Sequence, residues 1–163
     1  MRELYVVGRV AGLDVGNRRI GVAVSDVTGT LARPLGVLQT SGLEGDAIDR
    51  AVAELARLAA EEDGLASLVV GLPRRLDGSP NDMTPRVQAF AAALRARIAV
   101  PVILQDERLT SREAESRLAL REKDWRARKK RLDAAAAAII LQDYLDAAAF
   151  SAPSGHVLPD PDL

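Results

Sequence analysis

Cysteine is absent from the 163 residues. That excludes disulfides and cysteine-ligated zinc, and it fits a reducing compartment, so the expected location is the cytoplasm. Histidine occurs once, as His156 in a proline-rich stretch, and imidazole-based catalysis is therefore not expected. Aromatic residues make up only 3%, so the core has to be built from Ala, Val, Leu and Ile. No apolar run approaches the roughly 20 residues that cross a bilayer. The opening Met1-Arg2-Glu3-Leu4-Tyr5 has no long apolar segment of the signal-peptide kind. No membrane partner is expected. The formal net charge is −1, so the molecule as a whole does not attract polyanions, and any basic patch must be local.

What is present suits one globular domain. Hydrophobic residues make up 48% and charged residues 28% of the 163-residue chain, enough for a single sizeable core. Residues 1–150 read as that domain. Residues 151–163 carry three prolines and little core material, and read as a tail.

The chain is organised around Arg9-Val10-Ala11-Gly12-Leu13-Asp14-Val15-Gly16-Asn17. This is a strand that ends in a carboxylate and then turns, with Gly12 and Gly16 leaving Asp14 uncrowded and Gly16-Asn17 tolerating positive φ. A second strand, Arg19 to Ser25, returns at once, and Arg33 to Thr40 reads as a third. A helix is expected from about Leu43 to Asp63, with Ile48, Val52, Leu55, Ala56 and Ala59 on its apolar face, and Gly64 as its stop. Leu68-Val69-Val70 is a continuous apolar strand of the sort buried in parallel sheets. Thr84-Pro85 reads as a cap and first residue of another helix, with Val87, Phe90, Ala91, Leu94 and Ile98 inward. Pro101 to Gln105 is the last strand, and a final helix runs from about Leu132 to Ala149. The order predicts a mixed five-stranded α/β sheet flanked by helices: a three-stranded antiparallel meander plus parallel strands.

Three acids then become significant. Asp14 ends the first strand and Glu107 follows the last, which can lie beside the first. Asp133 shares a helical stripe with Ala136, Ala137 and Ile140, so it faces inward. Asp106 and Glu107 are neighbours and point to opposite faces of a strand; Glu107 is the one assigned to the set, leaving Asp106 to orient a loop or meet an arginine. Three converging acids with no basic partner on that stripe repel one another unless a cation lies between them. All-oxygen ligation selects Mg²⁺ or Mn²⁺, and two such ions about 3.5–4 Å apart serve in-line phosphodiester cleavage. The alanine run 134–138 allows the helix close to the sheet, although alanine is also simply a good helix former.

Several motifs resemble one family. Gly12-Leu13-Asp14-Val15-Gly16 with Arg19 to Asp26, Val70-Gly71-Leu72-Pro73 with Asp77-Gly78-Ser79, Asp106 to Ser111, and Arg128-Lys129-Lys130 with Asp133 and Ile140 to Leu145 are similar to the motifs of YqgF proteins, the RuvX-type Holliday junction resolvases. The match runs in order from about Val10 to Leu145. It implies an RNase H-like fold, a divalent-metal nuclease, and Asp14, Glu107 and Asp133 as the acidic triad. The family is also described as a nuclease of the pre-16S ribosomal RNA 5′ end. Arg74-Arg75 and Pro80 to Thr84 depart from the usual pattern, which bears on substrate preference.

Residues 121–131 hold seven cations in eleven positions, namely Arg121, Lys123, Arg126, Arg128, Lys129, Lys130 and Arg131. Beside Asp133 in a chain of net charge −1, that concentration favours a nucleic-acid backbone. Arg74 and Arg75 extend the basic rim. Thr110 and Ser111 suit helix capping, and Thr110 is also placed for a phosphate contact. Trp125 reads as an apolar anchor for a loose loop, with base stacking as the alternative. The expected partners are branched DNA or precursor rRNA and a second copy of the chain, since paired cuts suit a two-fold dimer. Two other classes remain open here. A nucleotide-binding domain of the actin type shares the Asp-x-Gly opening, and a non-catalytic nucleic-acid binder would make the acids dispensable.

Overall fold

The structure is a computed structural model that describes residues 8–107 and 125–151, with side chains over 8–107 and 133–149. The first three strands are β1 (Arg9–Val15), β2 (Arg19–Ser25) and β3 (Ala32–Gln39). Helix α1 (Asp46–Ala60), β4 (Leu65–Leu72), α2 (Thr84–Arg95) and β5 (Val102–Asp106) follow, and the long α3 spans Trp125–Ser151. The sheet order is β3-β2-β1-β4-β5. β1–β2 and β2–β3 are antiparallel, whereas β1–β4 and β4–β5 are parallel, the expected meander joined to parallel strands.

The period-2 alternation of the strands sends successive side chains to opposite faces. Ala11, Leu13 and Val15 of β1 and Leu68, Val70 and Leu72 of β4 face α1 and α2, in one cluster with Leu55, Leu58, Phe90 and Leu94. Val10 of β1 and Val69 of β4 face α3, against Ala137, Ile140, Leu141 and Leu145. β4 is thus buried on both sides, which explains its unbroken apolar run.

The helices depart from the expected bounds in instructive ways. α1 starts at Asp46, after Gly45 at φ 50°, and makes no side-chain cap; Asp46 and Asp49 in its first turn complement the helix dipole instead. Its buried stripe is Ala47, Ala51, Leu55 and Leu58, while the expected Ala56 and Ala59 are exposed. Alanine carries too little apolar surface to fix which side of a helix turns inward. α1 ends at Ala60 with Glu61 as its C-cap, short of the expected Asp63; Gly64, in the left-handed region at φ 63°, instead closes the turn after it, its amide donating to Glu61 O at 2.9 Å. Arg9, only 6% exposed, seals the same end, donating to Leu58 O (3.1 Å), Gly64 O (3.2 Å) and Glu61 Oε1 (2.8 Å).

Thr84 does not cap α2. It is the first helical residue, and its hydroxyl donates to Pro73 O at 2.5 Å. The N-cap is Met83, without a side-chain cap; Asn81, two residues earlier, forms an Asx turn, its Oδ1 accepting from the amides of Met83 (2.8 Å) and Thr84 (3.1 Å). The segment taken for a loop from Trp125 onward is helical backbone, continuous with the rest of α3. Asp133 therefore sits about two turns inside the helix rather than in its first turn.

Candidate active site

Three strands deliver their C-terminal ends to one edge. Asp14 is the penultimate residue of β1. Glu107 extends β5 by one rung, its amide donating to Leu72 O at 3.2 Å. Ile103 packs toward α3, so by alternation Glu107 emerges on the α3 side and Asp106 on the other. Asp106 lies 3.9 Å from Arg74 Nε, and Glu107 meets Asp14.

Glycines set how closely α3 approaches. A Cβ on Gly12 would lie 2.9 Å from Leu141 Cβ and 3.3 Å from Ala137 O. One on Gly21 would lie 2.1 Å from Asp133 O, closer than any real contact. Gly21 is the direct ladder partner of Asp14, so both point to the α3 side. The missing side chain at 21 is the space that the Asp133 backbone fills, next to Asp14. On β4, a Cβ at Gly71 would lie 2.6 Å from Ile140 Cδ1 and 3.3 Å from the Glu107 carboxyl. These glycines thus act by close approach. Gly16 is likewise not among the left-handed glycines; its amide donates to Arg19 O at 2.9 Å to close the β1–β2 turn.

The carboxyls of Asp14 and Glu107 are hydrogen-bonded to each other. Burial raises Asp14 from its ordinary 3.8 to about 6; the Glu107 hydrogen bond opposes this and the Asp133 charge adds to it. Burial, then the Asp14 charge and hydrogen bond, raise Glu107 from 4.5 to about 9. Both carboxyls are thus held above their ordinary range, because burial and their mutual repulsion disfavour two charges on the pair. Asp133 is 3.8 Å from Arg19 Nε. That cation comes from β2, outside the helix that carries Asp133. Arg19 Nε is buried and has no hydrogen-bond partner among the described residues.

A cavity of about 500 Å³ opens over these groups, lined by Asp14, Arg18, Arg19, Pro73, Glu107 and Asp133 among others. Arg18 and Arg19 are the site residues that sequence reasoning missed. Their only signal was position, since a residue just after a turn that follows Asp14 returns beside it. Arg74 is held in the β4–α2 loop by Gly78 O (3.0 Å) as well as by Asp106, and Arg75 is exposed. Thr110, Arg121 and Lys123 lie outside the described residues. Arg126, Arg128, Lys129, Lys130 and Arg131 lie on α3, where the backbone alone is described.

The donor chemistry fits a hard divalent cation. The three acids offer only oxygen ligands, and a buried carboxyl pair that must hold a proton to stay together is a place where a cation can replace that proton. Among the described residues no three metal-ligating side chains are already gathered round one point.

Residues 8–147 match the family model described as RuvX, Holliday junction resolvase. A protein of Chloroflexus aggregans is 45% identical over 138 residues, which is 85% of this chain and 93% of that protein. One of Xanthomonas oryzae pv. oryzae is 44% identical over 145 residues, 86% of this chain and 88% of its own. Both bear the name "Putative pre-16S rRNA nuclease". Among solved structures, Thermus thermophilus RuvC superposes with a TM-score of 0.51 at 21% identity, over 86% of this chain and 96% of that one. RuvC of the same source in complex with a Holliday junction substrate gives 0.50. At that identity the likeness is one of fold, and the fold is RNase H-like.

Proposed function

The chain belongs to the RuvX family, and we propose that it is a divalent-metal-dependent endonuclease that cuts phosphodiester bonds in branched DNA and works as a homodimer. The observation that carries this reading is the buried Asp14–Glu107 carboxyl pair, with Asp133 added by α3, at the wall of an open cavity. Three half-buried acids brought to one edge of the sheet serve no purpose in packing. Their repulsion is offset when Mg²⁺ or Mn²⁺ is held by Asp14, Glu107 and Asp133. Bound there, the metal lowers the pKa of an attacking water and stabilises charge on the leaving oxygen.

The chain's own groups do the rest. Glu107 would ligate the cation as a carboxylate, so binding would release acid and strengthen as pH rises. Asp133, now 3.8 Å from Arg19 Nε, would supply the third carboxylate. Arg19, which lines the cavity, would then have donors for a non-bridging phosphate oxygen, and a guanidinium presents them as a planar fork. Arg18 adds charge at the same rim. The basic residues from Arg121 to Arg131, with Arg74 and Arg75, hold the flanking backbone, and residues 1–150 form the working domain.

A second reading, trimming of a precursor ribosomal RNA end, is favoured by the names that the close relatives carry. Phosphate contacts are common to DNA and RNA and do not separate the two. The test is a side-by-side digest of a four-way DNA junction, linear duplex, single-stranded DNA and precursor rRNA, each with and without EDTA, with molecular mass measured in solution. Metal-dependent junction cleavage by a dimer is expected. Cleavage of the RNA alone, or a strict monomer, replaces the resolvase reading with the RNA reading, and cleavage that survives EDTA removes both.

A further inference from the structure

Arg19 is mounted on a fixed stretch of backbone. Its carbonyl accepts from the Gly16 amide at 2.9 Å, closing the β1–β2 turn, and its ladder partner on β3 is Gln39. Arg19 and Gly21 are two residues apart on β2 and so face the same way, toward α3, where a Cβ at Gly21 would meet Asp133 O. The strand thus brings α3 close with one residue and sets a guanidinium beside Asp133 with the other.

The contact between the two side chains is loose. Arg19 Nε and Asp133 Oδ2 are 3.8 Å apart, beyond hydrogen-bond range. A charge-assisted hydrogen bond would bring them to about 2.8 Å. Arg19 Nε is buried with no hydrogen-bond partner among the described residues. The side chains as a whole are 33% and 26% exposed, so water reaches the pair and weakens it. The guanidinium has room to leave, because Arg19 lines the cavity of about 500 Å³ that opens over Asp14 and Glu107. Arginine keeps its proton at any working pH. Its charge can be moved but not removed.

We propose that Arg19 is a placeholder cation. In the metal-free protein it neutralises Asp133 and competes with a divalent ion for that carboxylate. When a phosphodiester enters the cavity, Arg19 transfers to it and leaves Asp133 to ligate. The inference rests on the nuclease reading above and deepens it, by making metal affinity depend on bound substrate. A dication beside an unmoved guanidinium is disfavoured by like charge. Metal and phosphate each favour the arrangement in which Arg19 is off Asp133, and by linkage each strengthens the binding of the other. The three acids are then fully loaded only when there is a bond to cut.

The test measures Mn²⁺ binding to the full-length protein, without nucleic acid, from the paramagnetic resonance signal of the unbound ion. Two neutral variants are compared, Arg19→Gln and Arg19→Met, and a melting curve in EDTA shows that each is folded. Either should bind Mn²⁺ about ten-fold more tightly than the unaltered protein, as expected when a unit charge a few ångströms away is removed. Arg19→Lys keeps the charge and should stay within about three-fold of the unaltered protein. Junction cleavage then separates affinity from rate. In the neutral variants half-saturating Mn²⁺ should fall, while the rate at saturating Mn²⁺ drops by about ten-fold or more because the phosphate has lost its fork. An Arg19 that only holds α3 in place would lower stability and leave Mn²⁺ affinity unchanged or weaker. That result overturns the placeholder and leaves the nuclease reading standing, and unfolding of both neutral variants does the same. Unaltered protein that cuts no nucleic acid with Mn²⁺ present overturns both.

Discussion

The two faces of the sheet are built from the same strands by opposite rules. On the α1–α2 face the alternate residues are large and apolar. Leu13, Ile20, Leu68 and Val70 are fully buried against Leu55, Leu58, Phe90 and Leu94. On the α3 face the corresponding positions are Gly12 and Asp14 of β1, Gly21 of β2 and Gly71 of β4. There α3 comes so close that its backbone takes the space at Gly21 and its Leu141 and Ile140 side chains the space at Gly12 and Gly71. One face gains stability from apolar burial. The other gives some of that up, bringing a helix close enough to set Asp133 beside Asp14. A difference of one residue in register along β1 decides which role a side chain plays.

The sharpest break in that comparison is Asp14→Asn. Cleavage should fall by about a thousand-fold or more, since several kcal/mol of metal-supplied stabilisation are lost at about 1.4 kcal/mol per factor of ten. Thermal stability of the metal-free protein should rise, because a buried charge has gone. Junction cleavage and a melting curve in EDTA, run on the same preparation, check both. A loss of stability would place Asp14 among ordinary structural acids.

A matched pair of substitutions separates the faces. Leu13→Ala is expected to lower stability by about 2–5 kcal/mol through the cavity it leaves, with activity intact at temperatures where the protein stays folded. Gly21→Ala is expected to lower stability by about 1–3 kcal/mol through overpacking and to remove activity altogether, because Asp133 must move. Urea unfolding gives the first quantity and single-turnover cleavage the second. An active Gly21→Ala protein would show that α3 has slack.

The faces should also differ in how they respond to pH. Asp14 and Glu107 have folded pKa values raised above their ordinary 3.8 and 4.5, to about 6 and about 9. The folded state therefore binds protons more tightly than the unfolded one. In EDTA, stability should be greatest below about pH 4 as far as this pair is concerned, and should decline as pH rises toward 9. The Asp14→Asn, Glu107→Gln double variant should flatten that slope, whereas Leu13→Ala should only displace the curve downward. Stability that increases over this range in a pair-dependent way would contradict the protonated pair.

The smallest expected effect concerns the first turns of α3. Replacing Arg128, Lys129 and Lys130 by alanine should weaken binding to all nucleic-acid sequences alike. The slope of log affinity against log salt should become shallower by about 2–3, at roughly 0.9 per phosphate contact. An unchanged slope would confine α3 to its role of carrying Asp133.

The sheet could be read from the chain because its causes are local. Alternation in β1 and β2 and the apolar run of β4 each act within a few residues. The strand order did not follow from them: the last strand was expected beside the first, and β4 lies between the two. The three acids were legible for a related reason: a strand end, a strand end and a helical stripe fix side-chain direction before packing is known. The hairpin at Arg74–Pro80 also has a local signal, Asp77-Gly78. Other features had no local cause to read. Ala56 and Ala59 of α1 could be told from Ala47 and Ala51 only by what the helix packs on. That Gly12, Gly21 and Gly71 are seats for a helix, that Arg19 reaches Asp133, and that Asp14 and Glu107 share a proton all depend on distances between residues tens to more than a hundred positions apart. Sequence by itself determined which groups point the same way. Only the tertiary structure decided how near they come, and hydrogen bonding, desolvation and metal binding all turn on that distance.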